Sequence, residues 1–250
     1  MVKLNVAILA RDNESEIADC LRSVDWADER VVILDTRSAD RTAEIARSLG
    51  AQVVEHRFEN FARQREFGLG LFTPGEWLFY LDSDERATPA LGEEMRRVIQ
   101  DGTAEGWWVP RRNFFWGHEV RYGGWRPDYQ LRLLHVGRAH YDMTREVHEI
   151  VMLDGIDGHL REPLIHYNYR TMAQFTAKQH QYVAYEAAIL YKQGVRPKPW
   201  TYLFQPLREF HRRYIILRGY HDGWFGLVLC AWVAYYYGFV VTWRLGRVWR

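Results

Sequence analysis

Three groups of acids interrupt the amino-terminal half of this 250-residue sequence, and each follows an apolar run. Asp12, Asn13 and Glu14 come after LNVAILA; Asp35, Ser38 and Asp40 lie at or just beyond the end of RVVILD; Asp82, Asp84 and Glu85 close WLFYLDSDE. One acidic turn is ordinarily a solvated turn or a helix cap, and for Asp40 alone that explanation competes evenly with a functional one. Two carboxylates at i and i+2 of an extended chain, such as Asp82 and Asp84, can face one side. There they can give a divalent cation, Mg2+ or Mn2+, one or two oxygens and leave its other positions to water and phosphate. His166, in LIHYNY, is a further candidate ligand for metal or phosphate, with a purely structural histidine an equal contender. The chain has neither the glycine-rich loop and lysine of a P-loop nor the ligand density of an EF-hand.

These acids need elements that bring them together. LNVAILA (residues 4–10), RVVILD (30–35), AQVVEH (51–56) and WLFYLD (77–82) read as strands. Between them Ile17, Leu21 and Val24 repeat at helical spacing, residues 38–50 begin with Ser and Asp cap candidates and stop at Gly50, a typical helix end, and residues 60–71 form a third helix. Thr88 followed by Pro89 predicts an N-cap and first turn for a helix through Ile99. Strand and helix in alternation predict right-handed βαβ units and a mostly parallel sheet, whose carboxyl edge would collect all three acid groups. From Gly106 the pattern turns aromatic and basic, which predicts antiparallel strands carrying the second half of a site. A helix is predicted over residues 171–193.

Composition sets the wider frame. With 48% apolar residues the chain can bury a full core. Two widely spaced cysteines, Cys20 and Cys230, suggest neither a disulfide framework nor a cysteine metal site, which suits a reducing cytosol. The first residues read as a strand, since charged residues stand where a signal peptide needs small ones. The net charge of +1 conceals ten Lys or Arg against two acids in residues 192–250. Within that basic segment, Trp224 to Trp243 carries no charge over about the length of a bilayer core, with arginines on both sides. Its wealth of Tyr and Trp favours a helix or helix pair lying in a membrane interface over a span or a soluble core helix. Nucleic-acid binding is the weakest reading, because the basic and aromatic segments sit on an acidic body beside an apolar tail.

The stretch NVAILARDNESEIADCLRSVDWADERVVILDTRSADRTAEIARSLGAQVV, followed by LDSDERATP, resembles the family 2 glycosyltransferases with the GT-A fold. More narrowly it is similar to the bacterial group that adds a sugar to the lipopolysaccharide inner core. The resemblance covers residues 4 to about 185 and also GYHDGWFG (219–226). It implies an α/β, Rossmann-like nucleotide-diphospho-sugar fold over residues 1–170. Residues 1–105 would bind the nucleotide sugar, 106–170 the acceptor, and 171–250 would form a helical membrane-associating extension.

The resemblance implies an inverting hexosyltransferase. Donor contacts fall on Ala10, Asp12, Asp35, Asp40, Arg65 and Asp82, with Asp82 toward ribose and metal and Asp84 directly on a divalent metal. TREVHEIV matches the family's xVHExV and makes Glu149 the candidate general base, with His148 beside the acceptor or simply packed. Without the family, a salt bridge with Arg145 or Arg161 would be the preferred reading of Glu149. Arg112 and Arg132, with Arg111 and Arg126, are cations for a diphosphate or a phosphorylated acceptor. Trp125, like Trp107, Trp108 and Trp116, suits either sugar stacking or core packing.

This chain departs from the pattern at TRSA, where Arg37 replaces a glycine, and at Gln64, Arg65 and Glu66, where Glu66 replaces an asparagine. The expected partners are a nucleotide sugar, a lipid-linked saccharide and an anionic membrane surface, with the protein on the cytoplasmic face of the cell membrane. A polyprenyl-phosphate acceptor, or a non-catalytic module on the same fold, is the alternative.

Overall fold

A computed structural model describes residues 2–143 and 150–249. The candidate base Glu149 and its neighbour His148 therefore lie outside the described residues. The chain forms two compact units, one of residues 1–111 and 128–166, the other of residues 112–127 and 167–250.

The first unit begins with the expected alternation: β1 (Leu4–Ala10), α1 (Ile17–Arg22), β2 (Arg30–Leu34), α2 (Thr42–Ser48), β3 (Gln52–Glu55), α3 (Phe61–Leu69), β4 (Trp77–Asp82). A two-residue strand, β5 (Glu85–Arg86), and helix α4 (Pro89–Asp101) follow. The strand order is β3-β2-β1-β4, all parallel. The sheet then turns antiparallel: after β6 (Gly106–Phe115) and β7 (His118–Val120), β8 (Tyr129–His135) adds antiparallel to β4, and β6 adds antiparallel to β8, in the order β4-β8-β6. Short strands β9 (Ala139–Tyr141) and β10 (Val151–Leu153) pair with each other. β11 (Asp157–His159) pairs parallel with β6, and the start of β12 (Leu164–Tyr169) lies antiparallel to β5.

Both faces of the parallel strands are covered, which explains why their sequences are continuous apolar runs. Val6, Ile8, Phe79 and Leu81 pack with Ile17, Leu21 and Met95 on one side; Ala7, Leu9, Leu78 and Tyr80 pack with Ala62 and Leu69 on the other. Local chemistry fixes the helix starts. The side chain of Asn60 accepts from the Arg63 N–H and that of Thr88 from the Leu91 N–H, with Pro89 in the first turn of α4. Gly68 permits α3 to approach β4, since a Cβ there would lie 2.6 Å from the Tyr80 hydroxyl oxygen.

In the second unit α5 (Met172–Lys192) opens with a capping box between Thr171 and Gln174. It is followed by α6 (Thr201–His211), α7 (Gly223–Ala234) and α8 (Val241–Val248), with π-helical turns at Arg212–Ile216 and Tyr235–Val240. Phe115, Tyr169, Phe175 and Val183 pack with Phe225, Leu229, Val233 and Tyr236 in this unit's own core. The stretch from Gly219 to Val248 is long and apolar enough to cross a membrane by length and composition. One stripe of it is buried in that core, while Trp224, Tyr235 and Trp243 on other faces are exposed.

Candidate active site

The carboxyl ends of β1, β2 and β4 gather the three acid groups through strand register. Leu9 is opposite Asp82 and Ala10 opposite Leu34, and the carbonyl of Ala10 accepts from the Asp35 N–H at 3.0 Å. This is the edge where β1 separates crossovers running in opposite directions, the position at which open α/β sheets bind ligands.

The loops after β1 and β2 are stapled to each other. Asp12, in the left-handed backbone region at φ 50°, accepts from the Ala39 N–H at 2.8 Å, and its own N–H donates to Ser38 Oγ at 3.0 Å. Asp40 accepts from the Glu14 N–H at 2.8 Å and, at the start of α2, from the N–H (3.0 Å) and hydroxyl (2.5 Å) of Thr42. Although burial opposes its charge, these hydrogen bonds hold the Asp40 carboxyl below its ordinary pKa. Asp40, just before α2, thus ties the loops after β1 and β2 to the first residue of that helix.

Asp35 is buried and engaged by Arg37, the residue that replaces a glycine. Arg37 Nη2 donates to Asp35 Oδ2 at 2.7 Å and Nε to both oxygens at 3.1 Å, and the Phe58 carbonyl anchors the same guanidinium at 3.0 Å. These hydrogen bonds, opposed by burial, lower the Asp35 carboxyl to about 2. Glu66, the other departure, accepts from the Tyr141 N–H at 2.7 Å and so joins α3 to β9.

The pair in DSD is divided between two environments. Asp82 has both oxygens occupied: Arg65 Nη2 donates to Oδ1 at 2.9 Å and Arg132 Nη2 to Oδ2 at 2.5 Å. Burial disfavours its charge, but the two guanidiniums outweigh that and hold it far below the usual carboxylate range. Arg65 is placed against β4, since the Tyr80 hydroxyl donates to its carbonyl and the Tyr80 ring lies 5.3 Å from its guanidinium carbon.

Asp84, two residues on, is half-exposed, and its Oδ2 lies 3.6 Å from His166 Nε2. The pairing of His166 with Glu85 across β12 and β5 brings that imidazole to the acid. One carboxylate oxygen and one imidazole nitrogen facing each other fit a divalent ion that takes its remaining ligands from a diphosphate and water. Asp82, with both oxygens held by arginines, does not offer that arrangement here. Among the described residues no group of three His, Cys, Asp or Glu side chains is disposed to hold a metal.

Read alone, DERATP suggests a turn in which Arg86 offsets the charge of Glu85, and the structure corrects that reading. Glu85 is fully buried, accepts from the Asp82 N–H at 2.9 Å and pairs with Arg111 at 3.2 Å; Arg132 is 3.8 Å away. Arg111 continues to Asp128 at 2.9 Å, while Arg86 pairs instead with Glu16 at 2.9 Å. Three arginines and three acids, Arg65, Arg111 and Arg132 with Asp82, Glu85 and Asp128, therefore form one charge-balanced chain beneath the edge. Within it Arg132 Nε is buried without an acceptor among the described residues. The sequence signal was available in outline. A buried strand that stops at three acids needs cations, and the arginines of β6 and β8 are nearby in an antiparallel sheet.

Arg112 and Trp125 belong to the second unit. Arg112 donates to Glu119 from Nε at 2.9 Å and Nη2 at 3.0 Å, which with Arg121 lowers the Glu119 carboxyl to about 2. Trp125 meets Phe115 edge to face at 4.7 Å.

A parallel α/β half-sheet with acids at its carboxyl edge, continued by antiparallel strands, defines the class of nucleotide-sugar transferases with a GT-A-like fold. The model of glycosyl transferase family 2 matches residues 6–157, and the chain belongs to that family and is a glycosyltransferase. It is 28% identical over 84% of its length to the lipopolysaccharide core biosynthesis glycosyltransferase LpsC of Rhizobium meliloti, covering 80% of that protein. An uncharacterised glycosyltransferase of Rickettsia bellii is 24% identical over 90% of this chain and 80% of its own. Among solved structures, S. aureus TarS 1–349 in complex with UDP-GlcNAc superposes with a TM-score of 0.39 and 19% identity, over 45% of this chain and 35% of that one.

Proposed function

We propose that the protein is an inverting transferase that moves a hexose, glucose in the first instance, from a uridine-diphosphate sugar to a saccharide of the lipopolysaccharide core or another lipid-linked saccharide. The observation that carries this reading is the division of the DSD acids: a charge-locked Asp82 and an Asp84 free to face His166, at the ligand edge of a family 2 chain. The likeness to the lipopolysaccharide core enzyme of Rhizobium meliloti supports the acceptor class.

Asp84 and His166 would hold the Mg2+ or Mn2+ ion, which when bound would stabilise the negative charge growing on the leaving diphosphate. The chain's own residues do the rest. Asp82, fixed between Arg65 and Arg132, orients the end of β4, and Ala10, Asp12, Asp35 and Asp40 shape the rim of the donor site. Glu149, assigned from the VHE motif, takes the proton of the acceptor hydroxyl as it attacks the anomeric carbon from the face opposite the diphosphate. Arg112, Trp125, Arg132 and His148 are proposed for the acceptor side. In this reading the basic, aromatic carboxyl-terminal region holds the enzyme at the cytoplasmic face of the membrane.

The test is a thermal-shift screen of nucleotide sugars with and without Mn2+, followed by extraction and weighing of the product. UDP-glucose should raise the melting temperature in a metal-dependent way, because a ligand of the native state alone stabilises it. A flat response to every nucleotide sugar refutes the donor assignment, and a sugar found on a polyprenyl phosphate refutes the acceptor assignment.

A further inference from the structure

The second unit contains a cavity of about 530 Å³ between α5, α6 and the helix that ends the chain, within the range of small-molecule sites. Four arginines line it, Arg196, Arg208, Arg212 and Arg213, against two glutamates. Glu209 is shared by Arg212 Nη2 and Arg213 Nε, each at 2.7 Å, and so leaves one of those two positive charges uncompensated. Arg196 lies over the Trp249 ring at 4.2 Å, a contact that leaves its hydrogen-bonding edge available. Arg208 has no ion-pair partner among the described residues. Glu186, the second acid, does not offset both. The lining also includes apolar side chains, among them Leu190, Val241 and Leu245.

Helix α6 indicates what an occupant must be. Gln205, Arg208 and Glu209 face the cavity, whereas Trp200, Leu203, Phe204 and Leu207 recur at i, i+3, i+4 and i+7 and are each more than half exposed. No residue of α6 is buried. A water-facing helix with this stripe is unfavourable at about 25 cal/mol per Å² of apolar surface; at a lipid interface the same stripe is stabilising. The arginines behind it would then lie at headgroup depth, next to apolar residues able to accept a chain.

From this juxtaposition we propose that the cavity is a binding site for the phosphate of an anionic lipid, with the arginines on the phosphate oxygens and the first part of the acyl chain along Val241 and Leu245. The site deepens the membrane-surface reading and is independent of donor binding.

The experiment uses the full chain and three soluble probes: dihexanoyl phosphatidic acid, dihexanoyl phosphatidylcholine and inorganic phosphate. Phosphatidic acid should raise the melting temperature well beyond the other two at equal concentration. Arg196→Gln with Arg208→Gln should weaken that binding at least about ten-fold. Arg244→Gln with Arg247→Gln, which removes equal charge elsewhere on the last helix, should change it by no more than about two-fold. Equal losses in both double variants would show diffuse attraction and overturn the site, and a response to inorganic phosphate matching that to the lipid would overturn the lipid assignment. If the first double variant loses its cooperative melt, Arg208→Gln decides alone, since its removal leaves no acid uncompensated. UDP-sugar binding is measured on the same variants. Lipid binding lost with donor binding intact supports this site, whereas donor binding lost with lipid binding intact bears only on the transferase reading.

Discussion

At the sheet edge of the first unit each buried cation has met its acid before any ligand arrives: Arg65 and Arg132 hold Asp82, and Arg111 bridges Glu85 and Asp128. Around the cavity of the second unit Arg212 and Arg213 share the single acid Glu209, Arg208 lines the cavity without an ion-pair partner among the described residues, and the apolar stripe of α6 faces outward. The first arrangement makes geometry rigid, because the pairs are desolvated and cannot exchange with water at low cost. The second leaves charge and apolar area to be satisfied by something outside the chain. A catalytic edge and a docking surface are thus distinguished by where their charges are balanced.

Four experiments break or sharpen this contrast. The largest effect is expected from Glu85→Ala, which leaves Arg65, Arg111 and Arg132 with only Asp82 and Asp128 between them, one positive charge in excess in the interior. Urea unfolding should show a loss of about 3 kcal/mol, against less than about 0.5 kcal/mol for Arg208→Ala in the second unit. Comparable losses in both would erase the distinction. Next comes Asp84→Asn, which should lower kcat/KM about 100-fold while leaving the melting temperature nearly unchanged. If stability falls and turnover does not, Asp84 is a structural acid like its neighbour Asp82.

On the other unit, replacing Leu203, Phe204 and Leu207 together by Ser should reduce partition onto anionic vesicles about ten-fold or more, with unfolding free energy scarcely altered. Undiminished vesicle binding would mean that α6 does not face lipid. The smallest effect concerns Asp35, whose depressed pKa means that Arg37 stabilises the fold while the acid is ionised. That contribution is present above the unfolded value near 4 and is lost as pH falls through about 4 to about 2. Arg37→Gly should raise the Asp35 titration, followed by NMR, toward its ordinary value and remove this acid-limb dependence.

Much of the first unit was legible in its sequence because parallel strands buried on both faces are uninterrupted apolar runs, and because Asn60, Thr88 and Pro89 mark helix starts by local hydrogen bonding. Glu85 was misread because one residue decides whether an acid after a strand points to solvent or pairs inward. That depends on β12, which lies about 80 residues away. For Asp40 the sequence offered a choice between solvated turn or cap and functional contact, and it could not name the Glu14 and Thr42 groups that the carboxylate accepts from. The partners of Asp82 were named as cations but not as its own, since sequence does not reveal which arginine of an antiparallel pair meets which acid.

By itself the sequence determined the alternation of strand and helix, the acids at the ends of three strands and the family signature, because periodicity, caps and motifs are local properties of the chain. Only the tertiary structure decided that Asp82 is locked by Arg65 and Arg132 while Asp84 faces His166, and that arginines of the last helices share one cavity. Those outcomes depend on strand register and helix packing between distant segments. A displacement of one residue or one helical turn there would exchange a buried ion pair for an exposed one.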